Sequence, residues 1–172
     1  MFEFYLLLVL LLIILSIVVN SLKIGISPMP TSKKVSYEIL KLIKDSKEDT
    51  VIDLGSGFGS LAIFLASNLP NKKIIAYELS FFPYLISLTL KKILNVNNLF
   101  IYKKDFLKEN LKDSILVCYL CPSIIQKLEN KIFDETINTK IISNFFSFRS
   151  IKAKKVAFCN NFSQSPIFLY KT

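Results

Sequence analysis

The stretch from Thr50 to Ser60, Thr-Val-Ile-Asp-Leu-Gly-Ser-Gly-Phe-Gly-Ser, constrains the fold more than any other part of the chain. Its first half is a short apolar run of β type. Its second half places Gly55, Gly57 and Gly59 where the backbone can turn sharply and lie close against a ligand. Leu61, Ala62, Phe64, Leu65 and Ala66 follow with helical spacing. A strand should therefore become a helix here, with Gly59 or Ser60 at the helix N-terminus and free amides facing a bound molecule. The plainer alternative is a turn with only a structural role.

Glycine-rich strand-to-helix turns serve nucleotide-like ligands in two families. Dinucleotide binders use G-x-G-x-x-G, which would need a glycine at position 60, where this chain has Ser60. The spacing here is G-x-G-x-G, with Asp53 two residues ahead of the first glycine. The stretch resembles the first motif of class I S-adenosylmethionine-dependent methyltransferases. That resemblance implies a cofactor held by Asp53, Gly55, Ser56, Gly57 and Gly59. A carboxylate beside the turn suits the ammonium of a sulfonium amino acid, directly or through water, and no pyrophosphate has to be cradled.

The rest of the chain alternates in the way an α/β protein requires. Thr31 or Ser32 caps a helix through about Lys44, with Val35, Ile39, Leu42 and Ile43 on one face. Lys73 to Glu78 reads as a second strand ending in an acid, 25 residues beyond Asp53. An acid there can accept both ribose hydroxyls of an adenosyl ligand. Ser80 can cap the next helix, whose apolar face holds Leu85, Leu88, Leu90, Ile93 and Leu94. Leu99 to Lys103 make a third strand. In the resembled fold the following Asp105 meets the adenine amino group and Phe106 packs on the ring, although Asp105 is equally a loop cap. Ser114 to Leu120 form a buried fourth strand, a helix runs from about Ser123 to Lys131, and Thr139 to Phe146 form a fifth strand. Ala153 to Cys159 and Pro166 to Lys171 fit a closing pair. The expected architecture is a Rossmann-like, doubly wound, mostly parallel seven-stranded sheet, preceded by one transmembrane helix.

That helix is read from composition. The chain has 172 residues, enough for a single ordinary domain, and is 52% hydrophobic. The apolar excess sits at the front, where Phe4 to Leu22 lacks any charge. As a helix this segment would span roughly 28 Å, close to a bilayer's hydrocarbon thickness. A cleavable signal peptide would need a basic n-region and a small-residue cleavage site; the chain offers Glu3 and Asn20-Ser21-Leu22-Lys23 instead. Residues 1–22 are thus read as a single-pass anchor, 23–34 as a proline-stiffened linker and 35–172 as the domain. With every Lys and Arg after Leu22, the domain belongs on the cytoplasmic side and the N-terminus outside.

The net charge is +9, carried almost wholly by Lys, since Arg149 is the only arginine. Arginine forks are preferred for phosphate and base recognition, so nucleic acid is an unfavoured partner and a Lys-rich face beside an anionic membrane a better one. Cys118 and Cys121 form a C-x-x-C, but their side chains lie on opposite faces of a strand end and the chain has no histidine, so no metal is expected.

Together the anchor, Pro28-Met29-Pro30-Thr31, the glycine motif, Ala76-Tyr77-Glu78-Leu79 and Phe145-Phe146-Ser147-Phe148 resemble the small membrane-anchored lysine methyltransferases, which include the ATP synthase c-subunit and adenine nucleotide translocase enzymes. This implies that Thr31 and Leu79 join the cofactor residues. The candidate acceptor pocket lies at Tyr119, Cys121, Pro122 and Asn144, with the Leu120 carbonyl, Tyr119 or Asn144 as acceptors able to orient an amine lone pair; here the chain departs from many amino-group methylases by reading Leu-Cys-Pro-Ser without an acid. The function implied is methyl transfer to a lysine of a membrane-associated protein. A chain this small leaves no separate lid to enclose a metabolite, which suits a macromolecular acceptor. A small-molecule, lipid or RNA methyltransferase would keep the same cofactor site, and a non-catalytic anchored protein would keep only the fold.

Overall fold

The computed structural model describes residues 1, 3–8, 11, 31–159 and 165–172. Most of the anchor expected over residues 4–22, and most of the linker, lie outside the described residues. Among the described residues no helix is long and apolar enough to cross a membrane.

Seven strands form one sheet: β1 (Thr50–Leu54), β2 (Lys73–Tyr77), β3 (Leu99–Tyr102), β4 (Ile115–Cys118), β5 (Lys140–Asn144), β6 (Lys155–Phe158) and β7 (Pro166–Lys171). Their order is β3-β2-β1-β4-β5-β7-β6. The first five are mutually parallel, while β7 runs antiparallel to both β5 and β6. The strand order reverses between β1 and β4, the switch point at which such sheets bind ligands. The expected doubly wound, mostly parallel sheet is therefore present.

Alternation along the central strands splits the apolar residues between two cores. Val51, Ile115 and Val117 join one face with helices α1 (Lys33–Lys44) and α2 (Ser60–Asn68). Ile52, Leu54, Leu116 and Cys118 join the other with α4 (Pro122–Asp134). Helix α1 begins where its cap requires, with Ser32 Oγ accepting the Val35 amide at 3.4 Å, two residues ahead of the domain boundary expected at 35. Helix α4 also starts earlier and ends later than the expected 123–131. Pro122 fills its first turn, where a missing N–H costs nothing, and Cys121 takes the cap position.

One helix departs from its expected packing. In α3 (Phe81–Ile93) the buried positions are Pro83 and Ser87, and of the five residues assigned to its apolar face only Leu88 packs against the core. Leu85, Leu90, Ile93 and Leu94 are exposed. The reason is a close crossing. A Cβ at Gly59 would stand 2.8 Å from Ser87 Cβ, so the helix meets the glycine turn through its small residues and rolls the large ones outward. Ser80 stands at the cap position but its side chain makes no capping bond.

Candidate active site

Register places the ends of five strands in one transverse row. Leu54 is opposite both Tyr77 and Cys118, Tyr77 is opposite Tyr102, and Cys118 is opposite Ser143. Residues just past that row therefore share one edge of the sheet: the turn after β1, Glu78, Asp105, the segment Tyr119–Pro122, and Asn144. Most of the residues singled out from sequence are gathered here. Thr31 stands apart in sequence, half-buried directly before the Ser32 cap of α1.

The glycine turn is built as its spacing demands. Gly55, Gly57 and Gly59 have φ of 76°, 55° and 78°, the left-handed region in which a side chain is strained. The amides of Gly55 and Ser56 both donate to the Tyr77 carbonyl, at 3.0 and 2.9 Å, and that of Gly59 donates to the Ser56 carbonyl at 2.9 Å. The Gly57 amide donates to Glu78 Oε2 at 2.8 Å, while Glu78 Oε1 accepts the Ser80 amide at 2.7 Å. The amides of Gly55, Ser56, Gly57 and Gly59 are thus engaged within the protein, and Glu78 fastens the turn to the start of α3. Leu79, just beyond, is exposed.

What the turn leaves unpaired are side-chain atoms. Asp53 Oδ2 and Ser56 Oγ are buried without a hydrogen-bond partner. Burial, and then the negative charge of Glu78, push the Asp53 carboxyl up to about 7, against a lowering by the Ala62 amide. A buried carboxylate with an empty oxygen and a raised pKa is a receptor for a cation, because an ammonium would restore the charged form. The donor set fits an amino-acid-bearing cofactor.

Farther along the edge, Asp105 Oδ1 accepts the Leu107 amide at 3.0 Å and caps the short 3-10 turn Phe106–Lys108. Phe106 is buried among the residues of the α4-side core. On the other side of β1, Leu120 lies against the glycine turn, with its Cδ2 3.0 Å from where a Gly55 Cβ would be. Tyr119 packs with Phe145 and Phe146 at ring-centroid distances of 6.5 and 6.4 Å. Asn144 is buried at the end of β5, its Oδ1 unpaired. Cys121 Sγ lies 3.0 Å from Ser123 Oγ at the start of α4.

Two features of this edge were not read from the sequence. Phe145 adopts φ of 72°, which no phenylalanine propensity signals, and thereby swings Phe146 back toward Tyr119. Glu129 is 3% exposed and its Oε1 accepts the amides of Ser150 and Ile151 at 2.6 and 3.1 Å, tying down the loop after β5. The detectable signal was an acid on the same helical face as Ile125, Leu128 and Ile132. All three cysteines are free thiols, burial pushes Cys118 up to about 12, and among the described residues no group of three or more His, Cys, Asp or Glu could hold a metal ion.

The architecture is that of the class I S-adenosylmethionine-dependent methyltransferase fold. An RNA methyltransferase from Salinibacter ruber, crystallised with S-adenosyl-L-homocysteine, superposes with a TM-score of 0.73 at 21% identity, over 83% of this chain and 93% of that one. Magnesium protoporphyrin IX methyltransferase from Synechocystis with bound SAM gives 0.62 at 14% identity, over 81% and 79%. In sequence the chain is similar to a protein-lysine N-methyltransferase of Saccharolobus islandicus, 27% identical over 131 residues, which is 74% of this chain and 81% of that protein. No family model matches.

Proposed function

We propose that the protein is an S-adenosylmethionine-dependent methyltransferase that modifies a lysine side chain of a membrane-associated protein. The observation that carries the cofactor assignment is the unpaired, buried Asp53 Oδ2 beside a turn fastened by Glu78. Asp53 would hold the cofactor's ammonium, Glu78 its ribose and Ser56 a further polar atom. When bound, the cofactor supplies an electrophilic methyl group on a sulfonium. The named Saccharolobus relative supports a protein lysine. Residues 4–22 as an anchor, with the domain on the cytoplasmic side, would confine the enzyme near membrane proteins and raise their effective concentration.

The chain's own part in the reaction is preparation of the acceptor. A lysine must lose a proton first, at about 4.6 kcal/mol for a reference pKa near 10.4 and pH 7. The chain contains no histidine to take that proton. An apolar wall of Tyr119, Phe145 and Phe146 would disfavour the ammonium, and Asn144 Oδ1 would accept an N–H and orient the lone pair.

Membranes carrying the protein, given methyl-labelled S-adenosylmethionine, should show a labelled protein band that Gly57→Arg abolishes. Label found only in lipid or RNA would refute the lysine reading, and absence of cofactor binding by calorimetry would refute the enzyme.

A further inference from the structure

The outward face of α3 is apolar where a surface helix should be polar. Phe81, Leu85, Ile86, Leu90 and Ile93 are all exposed, Ile93 by 72%, while the buried positions hold Pro83 and Ser87. The adjoining edge strand adds Phe100 and Tyr102. A patch of this kind marks a surface that meets something other than water.

Its charge identifies what. From Leu79 to Lys104 the sequence contains Lys91, Lys92, Lys103 and Lys104 and no acid. These bases interleave with the apolar groups. Lys103 Nζ lies 5.0 Å above the Phe81 ring, and Lys73 and Lys91 stand 5.2 and 5.5 Å from that of Phe100. At the border Lys104 is paired with Glu109. Apolar side chains flanked by snorkelling lysines are matched by acyl chains beneath anionic headgroups. A second copy fits worse, because an isologous contact would set the lysines of one chain against those of the other.

We propose that the α3–β3 face is a membrane-surface site that docks on anionic lipid, with Leu85, Leu90 and Ile93 entering the headgroup boundary. Phe81, Tyr102 and Lys103 stand at the sheet's carboxyl edge, so docking sets the candidate site beside the bilayer surface. The proposal is independent of methyl transfer and of the segment 4–22.

The chain lacks tryptophan, which gives a direct test. Full-length Ile93→Trp and, as a control on α4, Phe133→Trp are mixed with vesicles of phosphatidylcholine alone or with phosphatidylglycerol. With the anionic vesicles, emission from Ile93→Trp should move to shorter wavelength and be quenched by brominated acyl chains, while Phe133→Trp stays unchanged. Adding Lys91→Glu and Lys92→Glu, or high salt, should remove most of the shift. Four results would each overturn the proposal. These are vesicle-bound protein whose Trp at position 93 remains in water, an equal response to neutral vesicles, a shift that follows protein concentration without lipid, and protection before any vesicle is added.

Discussion

Glu78 Oε2 accepts the Gly57 amide at 2.8 Å, so the acid closing β2 also fixes the turn that follows β1. One side chain thus joins two halves of the candidate site, and its other oxygen holds the Ser80 amide at the entry to α3. Glu78→Ala strands both amides, and losing two charge-assisted bonds should cost roughly 2 to 4 kcal/mol of stability. Glu78→Gln retains one acceptor oxygen but turns an NH2 donor toward a donor, so its loss should be intermediate. Urea denaturation gives the order, and calorimetry with S-adenosylhomocysteine should show weakened binding in both variants. Unchanged affinity in Glu78→Ala would remove this residue from the cofactor site.

Asp53 makes stability and binding depend on pH in opposite senses. Its carboxyl rises from an ordinary 3.8 to about 7 in the folded chain, through burial first and Glu78 second. Between these values the native state holds more protons than the unfolded one. Asp53's contribution to stability is therefore greatest below pH 4, falls as pH rises toward 7, and levels off above, by roughly 4 kcal/mol at most for a shift of this size. Binding of a cationic ligand needs the ionised form, so affinity should rise about tenfold from pH 6 to pH 8. Asp53→Asn should flatten both profiles and weaken binding throughout. Titrations in which the wild-type and Asn profiles coincide would show that Asp53 is not the titrating group.

Gly59 and Gly55 should differ although both have positive φ. A methyl at Gly59 meets Ser87 Cβ at 2.8 Å, between two packed helices, whereas at Gly55 it meets the flexible tip of Leu120 at 3.0 Å. Left-handed strain alone costs about 1 kcal/mol for alanine at either site. Gly59→Ala should therefore lower the denaturation midpoint well beyond Gly55→Ala, and Ser87→Gly should partly rescue the first and not the second. Equal midpoints would mean that the α3 crossing relaxes freely.

The sequence revealed those parts of the molecule that local rules govern. The glycine spacing, the acid at the end of β2 and the burial of β4 on both faces follow from backbone freedom and from a nearly all-apolar strand, and the structure contains them. It hid what depends on neighbours distant in the chain. Leu85, Leu90 and Ile93 have the spacing of a buried face, and only the contact between Ser87 and Gly59 shows that they turn outward. The same holds for Phe145, whose left-handed backbone follows from pairing its amide with the Pro166 carbonyl at 2.8 Å on β7. Phe106 illustrates a third case, since its position after β3 is readable but its burial in the core depends on α4.

Asn144 offers the sharpest separation of stability from activity. Its Oδ1 is buried at the sheet edge beside Tyr119, Phe145 and Phe146 without a partner, an arrangement that costs about 1 to 3 kcal/mol in a protein that gains nothing from it. Leucine has a similar volume and no polar atom, so Asn144→Leu should leave the denaturation midpoint unchanged or raise it. If the oxygen serves the incoming amine, the same change should lower methyl transfer about a hundredfold or more while S-adenosylhomocysteine binds as before. Asn144→Asp separates charge from shape: a carboxylate there would favour the ammonium form of the substrate and should shift the activity profile to higher pH. An Asn144→Leu protein that turns over at the wild-type rate would place the acceptor elsewhere on the edge, leaving the Tyr119 hydroxyl or the Leu120 carbonyl as groups able to orient it.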